Sequence, residues 1–397
     1  MNFEYTDEDK EFMQSFRNFC KKEIEPVADE IEEAGRVPAE IFKKLADLGY
    51  SGLLIPAEYG GLDLGYLRAT LAQEILSEFC GSTFFSVGAS FGLFALPVAE
   101  FGTEAQKRKY LPPVLSGEKV GCLGVTEPGA GSDVAGITST ARFVEGKYIL
   151  SGQKTYITNA PIADFMIVLC KTISEEGKAT GQTSFLLETD RKGVSLGKPM
   201  KKMGLRGSPT GEIFLENVEA NEEDILGRKG RGFLITMEAF NRERLALGAY
   251  SLGVMNACIR ESKKFAGTRK AFGKLISKHQ AVAHMISDMI IKTEAVRLLL
   301  YETAWMMDHY KDKQKKGMVL HNDLEVDMGA RVAEVKLMAS TYAREVCNLA
   351  VQIHGGAGYM DEYKVSRYYR DIKLAEIGGG TSEIQKQIIS HSESRRL

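Results

Sequence analysis

The stretch Val125-Thr126-Glu127-Pro128-Gly129-Ala130-Gly131-Ser132-Asp133 is the most informative segment of this chain. The apolar run before it, 120–125, predicts a strand, and its proline and glycines predict an irregular loop. Because glycine has no Cβ, such a loop lets a ligand reach the backbone amides, and Thr126 and Ser132 add hydroxyl groups. The lysine of a P-loop and the third glycine of a dinucleotide fingerprint are absent. The loop therefore suits a flat polar heterocycle better than a bare triphosphate.

A Gly/Pro loop alone is usually only a turn, but four further segments accompany this one in order along the chain. They are Tyr156-Ile157-Thr158-Asn159, Arg269-Lys270-Ala271-Phe272-Gly273-Lys274, Gln352-Ile353-His354-Gly355-Gly356 and Gly378-Gly379-Gly380-Thr381-Ser382-Glu383-Ile384-Gln385. In this order and at these separations, the segments resemble the acyl-CoA dehydrogenase family of flavoproteins. The resemblance covers essentially the whole chain.

Composition limits the class of protein and its partners. The chain has 397 residues, of which 44% are hydrophobic and 26% charged, as expected for a globular protein with a large core. A net charge of −2 gives no electrostatic reason to expect nucleic acid as a partner. The six cysteines show neither a C-x-x-C motif nor metal-ligand spacing, so we expect reduced thiols and no metal.

The N-terminus predicts where the protein resides. Its first residues are acidic and lead directly into a predicted helix, which is unlike a signal peptide or an arginine-rich transit peptide. No apolar run approaches the length of a membrane span, so no membrane insertion is expected. We expect a bacterial cytoplasmic protein, or a mitochondrial matrix protein whose presequence has been removed.

Changes in sequence pattern divide the chain into three parts. Residues 1–118 predict helices, residues 119–228 predict short strands broken by turn residues, and residues 229–397 are helical again. In the last part an apolar stripe predicts one helix face, and a second long helix is predicted over 323–351. The stripe consists of Val282, Met285, Met289, Val296 and Leu300. The fold class is thus α with a central β domain. The resemblance implies an N-terminal helical domain, a middle β-barrel and a C-terminal four-helix bundle.

The resemblance implies a reaction in which a carboxylate takes the α-proton of an acyl-CoA thioester while the β-hydride moves to flavin N5. The family commonly places this glutamate in a late loop, where this chain has Gly379. A subgroup resembling isovaleryl-CoA and long-chain acyl-CoA dehydrogenases pairs a glycine there with a glutamate at the position of Glu243. Both halves of that exchange are present, so Glu243 is the predicted base. By itself, Glu243 between Arg242 and Arg244 would be interpreted as a solvated helix face or an ion pair. Glu376, three residues before Gly379, is the weaker candidate.

The glycine loop retains a second role in this interpretation. In relatives the N–H at the position of Gly379 binds the thioester oxygen, and glycine keeps that donor. The spacing of Ser382 and Gln385 predicts a capping box for the helix that follows. The alternative is a flexible hinge before a terminal helix.

The resemblance also implies the ligand contacts. The predicted FAD-binding residues are Leu123, Val125, Thr126, Gly131, Ser132, Tyr156, Thr158, Arg269, Phe272, Gln280, Gln352, Gly355, Gly356 and Thr381. Arg269, Phe272 and Gln280 are expected to reach the FAD of a neighbouring subunit, which implies a homotetramer built as a dimer of dimers. Ser132, Asn241 and Arg244 are expected to contact the acyl-CoA substrate, and an electron-transferring flavoprotein is the expected acceptor. The acyl pocket is expected along 84–93 and at the start of the Glu243 helix.

Other functions remain open from the sequence. An acyl-CoA oxidase or a flavin monooxygenase could share the fold, and a catalytically inactive FAD- or CoA-binding protein is a different class. The acyl group is not determined, although the missing side chain at Gly379 suggests room for a branched or alicyclic one. His354 is expected to be structural.

Overall fold

The computed structural model describes residues 5–310 and 317–394, and the first four residues of the acidic N-terminus lie outside this part. The first predicted helix is confirmed, because Thr6 caps it: the Thr6 hydroxyl accepts a hydrogen bond from the Asp9 N–H at 3.1 Å. Seven α-helices precede the first strand in the described residues. They are α1 (Asp7–Phe19), α2 (Ala28–Ala34), α3 (Ala39–Asp47), α4 (Gly65–Phe79), α5 (Gly81–Gly88), α6 (Leu96–Phe101) and α7 (Glu104–Leu115).

A π-helical segment, Ala89–Ala95, joins α5 to α6 into one helical stretch, Gly81–Phe101. Its 21 residues are long and apolar enough to cross a membrane by length and composition, so the expectation that no such run exists is wrong. Serines and glycines interrupt its apolar residues, which obscures the run in the sequence. Of its most apolar window, 67% is buried inside the protein, as in a core helix.

The middle of the chain forms an eight-stranded sheet with the order β6-β7-β3-β2-β4-β5-β8, in which β1 pairs with β4. Its strands are β1 (Gly121–Gly124), β2 (Thr140–Val144), β3 (Lys147–Thr158), β4 (Phe165–Ile173), β5 (Ala179–Glu188), β6 (Val194–Leu196), β7 (Thr210–Ala220) and β8 (Ile225–Leu226). The parallel pairing of β1 with β4 aligns Leu123 with Ile167. The informative glycine-rich loop therefore leaves the sheet directly after β1.

Long helices dominate the rest of the chain. The elements are α8 (Gly232–Ala266), β9 (Lys270–Ala271), β10 (Lys274–Leu275), α9 (Gln280–His309), β11 (Met318–His321), β12 (Leu324–Asp327), α10 (Met328–His354), α11 (Lys364–Asp371) and α12 (Ser382–Ser394). Close packing joins α8 to both neighbours. A Cβ at Gly253 would lie 2.3 Å from the Glu74 carbonyl oxygen of α4, and one at Gly248 would lie 2.6 Å from Val335 of α10. Glycine at these positions lets the helices approach closely.

The helix predicted over 323–351 is wrong at its beginning. Residues 318–327 form the antiparallel hairpin β11–β12, whose turn residues Asn322 and Asp323 have φ values of 50° and 63°. Asp327 then caps α10, because its side chain accepts a hydrogen bond from the Gly329 N–H at 2.9 Å. Asn and Asp tolerate the left-handed region, which favours a turn at 322–323.

Candidate active site

Glu243 and Gly379 are neighbours in space although 136 positions separate them in the sequence. Glu243 lies on α8, and Gly379 lies in the loop that precedes α12. A Cβ at Gly379 would lie 3.5 Å from Glu243 Oε2 and 2.9 Å from Leu247 Cδ1. The carboxylate of Glu243 therefore occupies the space next to the missing side chain. The two positions of the paired exchange are therefore neighbours in space, and their catalytic roles stay predictions.

The carboxyl group of Glu243 has the electrostatics of a base. Burial raises its pKa to about 7, while the charges of Arg244 and Lys336 oppose the shift. Among residues 5–310 and 317–394, no side chain forms an ion pair or a hydrogen bond with it. A carboxylate with a raised pKa and no partner can accept a proton near neutral pH.

Three side chains hold the glycine loop in place. Arg244 Nε donates to the Gly379 carbonyl oxygen at 3.1 Å, and Lys336 Nζ donates to that of Gly380 at 2.7 Å. Gln385 Nε2 donates to both carbonyl oxygens, at 3.1 and 2.8 Å. The loop is thus fixed rather than a flexible hinge.

The predicted capping box at Ser382 and Gln385 is wrong. The Thr381 hydroxyl accepts the hydrogen bond from the Ile384 N–H at 3.4 Å, and Gln385 instead holds the glycine carbonyls. Spacing alone could not distinguish these arrangements, because Thr381 and Ser382 are both suitable caps.

The N–H of Gly379 is available for a ligand. Its carbonyl oxygen accepts two hydrogen bonds, whereas its N–H donates to no atom of the described residues. A fixed backbone donor beside an unpaired carboxylate is the arrangement that an enolising thioester needs.

A cavity of about 110 Å³ adjoins Glu243. Its walls come from 50–55, α4, the helical stretch 84–96 and residues 242–247 of α8. The expected segment 84–93 does line a cavity, but α8 contributes its middle turns and not its start, because the helix begins ten residues before Arg242. The aromatic side chains on its wall are Tyr50, Tyr66, Phe84, Phe85 and Phe91. Thr158, one of the predicted flavin residues, lines the same cavity.

Glu376 occupies a different environment. It pairs with Arg344 at 2.9 Å and Lys373 at 2.6 Å. Burial alone would raise its pKa, but hydrogen bonds from these two side chains lower it. A carboxylate stabilised by two cations is a poor proton acceptor, so the geometry favours Glu243.

A buried ion pair fixes the loop 125–133, and sequence reasoning missed it. Lys154 Nζ lies 2.7 Å from Glu127 Oε1, and both side chains are at most 3% exposed. Burial would raise the pKa of Glu127, but hydrogen bonds from Lys154 and Ser139 lower it to about 2. The Thr155 N–H also donates to the Thr126 carbonyl oxygen at 2.9 Å. The loop is therefore tied to β3.

The predicted flavin residues near this loop form an open platform. A Cβ at Gly129 or Gly131 would meet no atom within 4 Å, and the Tyr156 ring is 69% exposed with φ of 58°. Val125 packs in a small cluster that Phe240 of α8 also contacts, so the platform lies beside the Glu243 helix. An open glycine face, an exposed aromatic ring and Thr158 at the cavity fit a flat heterocycle such as isoalloxazine.

Thr381, another predicted FAD residue, lies in the glycine loop, whereas the predicted residues on the segments 269–280 and 352–356 belong to a second place. The rings of Phe265 on α8 and His354 on α10 stack at 4.4 Å, which joins the segments that carry Arg269 and Gly355. Phe272 is 97% exposed at the β9–β10 turn. No hydrogen bond or ring contact within the described parts of the chain connects this group to the Tyr156 platform. His354 itself is buried, and its Nδ1 lies 2.7 Å from the Ala350 carbonyl oxygen, while its structural role stays a prediction.

The predicted substrate residues are divided. Ser132 is exposed in the loop after β1. Arg244 is only 5% exposed, and its Nη1 donates to Asn241 Oδ1 at 2.6 Å. Asn241 therefore orients Arg244, which in turn binds the glycine loop. Contact of these side chains with a ligand stays a prediction.

Comparisons with known proteins identify the family. Three acyl-CoA dehydrogenase family models match: the N-terminal domain over residues 6–118, the middle domain over 122–218 and the C-terminal domain over 230–393. Isovaleryl-CoA dehydrogenase of Solanum tuberosum is 37% identical over 97% of this chain and 90% of its own.

Two further relatives bear on partner and cofactor. The CarC subunit of the caffeyl-CoA reductase–Etf complex of Acetobacterium woodii is 37% identical over 97% of this chain and 98% of its own. The solved acyl-CoA dehydrogenase of Bacillus anthracis complexed with FAD is 29% identical, with a TM-score of 0.90, over 99% of this chain and 67% of that one. The chain therefore belongs to the acyl-CoA dehydrogenase family, and it is an FAD-dependent enzyme of that family.

Proposed function

We propose that this enzyme dehydrogenates an acyl-CoA thioester to a 2-enoyl-CoA, with Glu243 as the base that removes the α-proton. The observation that carries the proposal is the unpaired Glu243 carboxylate beside the free N–H of Gly379, at the edge of the cavity. The pKa of about 7 keeps the carboxylate basic enough to take a proton from carbon.

The chain's own residues orient and activate the substrate. The Gly379 N–H donates to the thioester oxygen, which stabilises the negative charge that develops there as the α-proton leaves. Arg244, Lys336 and Gln385 hold that N–H in place through the loop carbonyls. The aromatic side chains on the cavity wall limit the access of water to the reacting carbons. Bound FAD supplies the two-electron oxidant for the β-hydride.

The cavity volume favours a short acyl group. At about 110 Å³ it is smaller than the roughly 150 Å³ cavity that admits benzene in another protein. We infer an acyl chain of about four to six carbons, straight or singly branched, rather than a long chain.

The electron acceptor and assembly complete the proposal. An electron-transferring flavoprotein is the proposed acceptor, because a relative functions as a subunit of a complex with Etf. Sharing of FAD between two copies is proposed because the second group of FAD residues lies away from the Tyr156 platform, and the family resemblance extends this dimer to a homotetramer. All six cysteines are free and buried, which supports a reducing compartment such as the cytoplasm.

The deciding experiment is an anaerobic titration of the FAD-loaded enzyme with a panel of acyl-CoA thioesters, following flavin absorbance. Wild type should bleach with a short acyl-CoA, and Glu243→Gln should slow bleaching by about 10²- to 10⁴-fold, the usual contribution of a general base. Glu376→Gln is the matched control and should leave the rate within about twofold of wild type. Bleaching that survives Glu243→Gln and fails in Glu376→Gln would transfer the role to Glu376.

A catalytically inactive FAD- or CoA-binding protein predicts another result. Such a protein would bind thioesters without bleaching, and Glu243→Gln would change nothing. An oxidase would be recognised by fast reoxidation of the reduced flavin with dioxygen in place of an electron-transferring flavoprotein.

A further inference from the structure

The cavity beside Glu243 contains polar groups that the proposed reaction does not use. One face of α4 presents Tyr66, Thr70 and Gln73 to it, at helical positions i, i+4 and i+7. Arg242 of α8 lines the same cavity. An acyl pocket for a plain hydrocarbon chain would have no need of this polar wall.

Two of these groups are buried without a partner. Thr70 is 1% exposed, and its Oγ1 has no hydrogen bond in the described residues. Arg242 Nη1 is likewise buried and unpaired there. The Gln73 side-chain amide also makes no hydrogen bond within the described parts of the chain. Buried donors and acceptors are normally satisfied, so unsatisfied ones on a cavity wall indicate a ligand that satisfies them.

The polar wall is separate from the base. Arg242 Nε donates to the Tyr66 hydroxyl at 3.2 Å, and its Nη2 pairs with Glu100. Glu243 instead faces Gly379. Successive residues on an α-helix point about 100° apart, so Arg242 and Glu243 serve different parts of the cavity. A thioester at Gly379 would direct the remote part of its acyl group toward the polar wall.

The charge of Arg242 indicates whether the ligand oxygen at the polar wall is charged or uncharged. Glu100 already neutralises this guanidinium, which is 15% exposed. A carboxylate on the acyl group would add a second anion to a single, already paired cation, and burying it there is unfavourable. An uncharged oxygen needs only the free donors of Arg242 and Thr70 and the amide of Gln73.

We propose that the cavity selects a short acyl group carrying an uncharged oxygen, such as a hydroxyl or keto group, remote from the thioester, with Thr70, Gln73 and Arg242 as its hydrogen-bonding residues. This deepens the proposed function and rests on it for the position of the thioester. It replaces the expectation of a purely branched or alicyclic hydrocarbon with a polar substrate class.

Isosteric pairs of thioesters test the proposal, because a hydroxyl and a methyl group have similar size. The pairs are 4-hydroxybutyryl-CoA with pentanoyl-CoA, and 5-hydroxypentanoyl-CoA with hexanoyl-CoA. Dissociation constants are measured on the FAD-loaded Glu243→Gln enzyme, where binding is read without chemistry. At least one hydroxy compound should bind about tenfold or more tightly than its methyl partner. Each hydrogen bond to the hydroxyl group increases the affinity by about 2- to 10-fold, and several are expected to form.

Variants assign the preference to the polar wall. Thr70→Val in the same background should reduce the hydroxyl preference by about 2- to 10-fold, and Arg242→Leu should do the same. Thr83→Val is the matched control, because the Thr83 hydroxyl is also buried and unpaired in the described residues but does not line the cavity. It should leave the preference unchanged.

Three results would overturn the proposal: equal or tighter binding of the methyl compounds, equal effects of Thr70→Val and Thr83→Val, or tighter binding of succinyl-CoA and glutaryl-CoA than of the hydroxy compounds. Failure of the proposed function would look different. The wild-type flavin would then not bleach with any thioester. The ratio of the dissociation constants of each hydroxy and methyl pair would still show whether the cavity binds an uncharged oxygen preferentially.

Discussion

At the scale of single residues, Gly379 is constrained in two independent ways. Its φ of +63° lies in the left-handed region, and a Cβ there would lie 2.9 Å from Leu247 Cδ1. The first constraint strains any L side chain, and the second requires Leu247, one helical turn after Glu243, to move away from an added Cβ. A side chain at 379 would therefore disturb the helix turn that carries Glu243.

We therefore expect Gly379→Ala to lower the bleaching rate by at least about tenfold and to destabilise the fold by about 1–2 kcal/mol. Gly146→Ala is the control, because Gly146 has φ of +81° with no atom within 4 Å of an added Cβ. It should show a similar loss of stability in urea unfolding and an unchanged rate. A Gly379→Ala enzyme as fast as Gly146→Ala would contradict the assigned role of the loop.

The raised pKa of Glu243 makes a second prediction at this scale. Only the ionised carboxylate accepts a proton, so kcat/KM should rise with pH through about 7 and level off above it. Stability should move in the opposite direction. Between the unfolded pKa near 4.3 and the folded value, the folded state binds more protons, so raising the pH destabilises it.

Glu243→Gln removes both effects. Its stability relative to wild type, measured by urea unfolding, should be greater at pH 8 than at pH 5 by about 2–3 kcal/mol, following the shift to about 7. A difference that is the same at both pH values would show that Glu243 titrates normally.

At the scale of elements, the loop 125–133 depends on the buried pair of Glu127 and Lys154. Removing only one partner leaves a buried charge uncompensated, so Lys154→Met should cost about 3–5 kcal/mol and reduce FAD content. Removing both, as Glu127→Gln with Lys154→Met, should cost less than Lys154→Met alone. Lys147→Met on the same strand is the control, since its ion pair with Glu219 is exposed and is expected to contribute less than about 1 kcal/mol. If the double variant is less stable than the single one, the pair is not the anchor.

Local patterns predicted most elements, because they reflect local chemistry. The short strands predicted over 119–228 correspond to β1 to β8, and the stripe from Val282 to Leu300 lies on α9. The hairpin β11–β12 was missed because its residues also suit the first turn of a helix, and only the turn at Asn322 and Asp323 distinguishes the two. The cap of α12 was placed one residue late for the same reason.

The residues that hold the site could not be predicted, since they act through distant partners. Lys336 is fully buried and bonds a carbonyl 44 positions away, while Lys154 bonds Glu127 at a separation of 27. A lone lysine in a helix or strand pattern is normally solvated. Glu243 was identifiable only because Gly379 stood where a family resemblance expected a glutamate. Arg242 carried no signal beyond its charge.

At the scale of the whole molecule, the FAD-binding residues expected from the sequence form two separate groups. The platform at Tyr156 lies beside the Glu243 helix, and the group with Arg269, Phe272 and Gly355 lies where the ends of α8 and α10 meet. One complete FAD site would form if a second copy of the chain placed its Arg269 group next to the Tyr156 platform of the first copy. Phe272 supports this arrangement, because a bulky aromatic side chain that is 97% exposed favours burial against another surface.

Phe272→Asp should therefore disturb assembly and cofactor binding together. We expect sedimentation to show a smaller species than wild type, and the purified variant to retain less than about half of the FAD, because burying an unpaired carboxylate at an interface is unfavourable. Val144→Asp is the control, since Val144 is exposed by 45% at a strand end of the sheet and belongs to neither FAD group. It should keep the wild-type mass and flavin content. A Phe272→Asp protein with full mass and full flavin would mean that each chain binds FAD alone, so the second group would need another role.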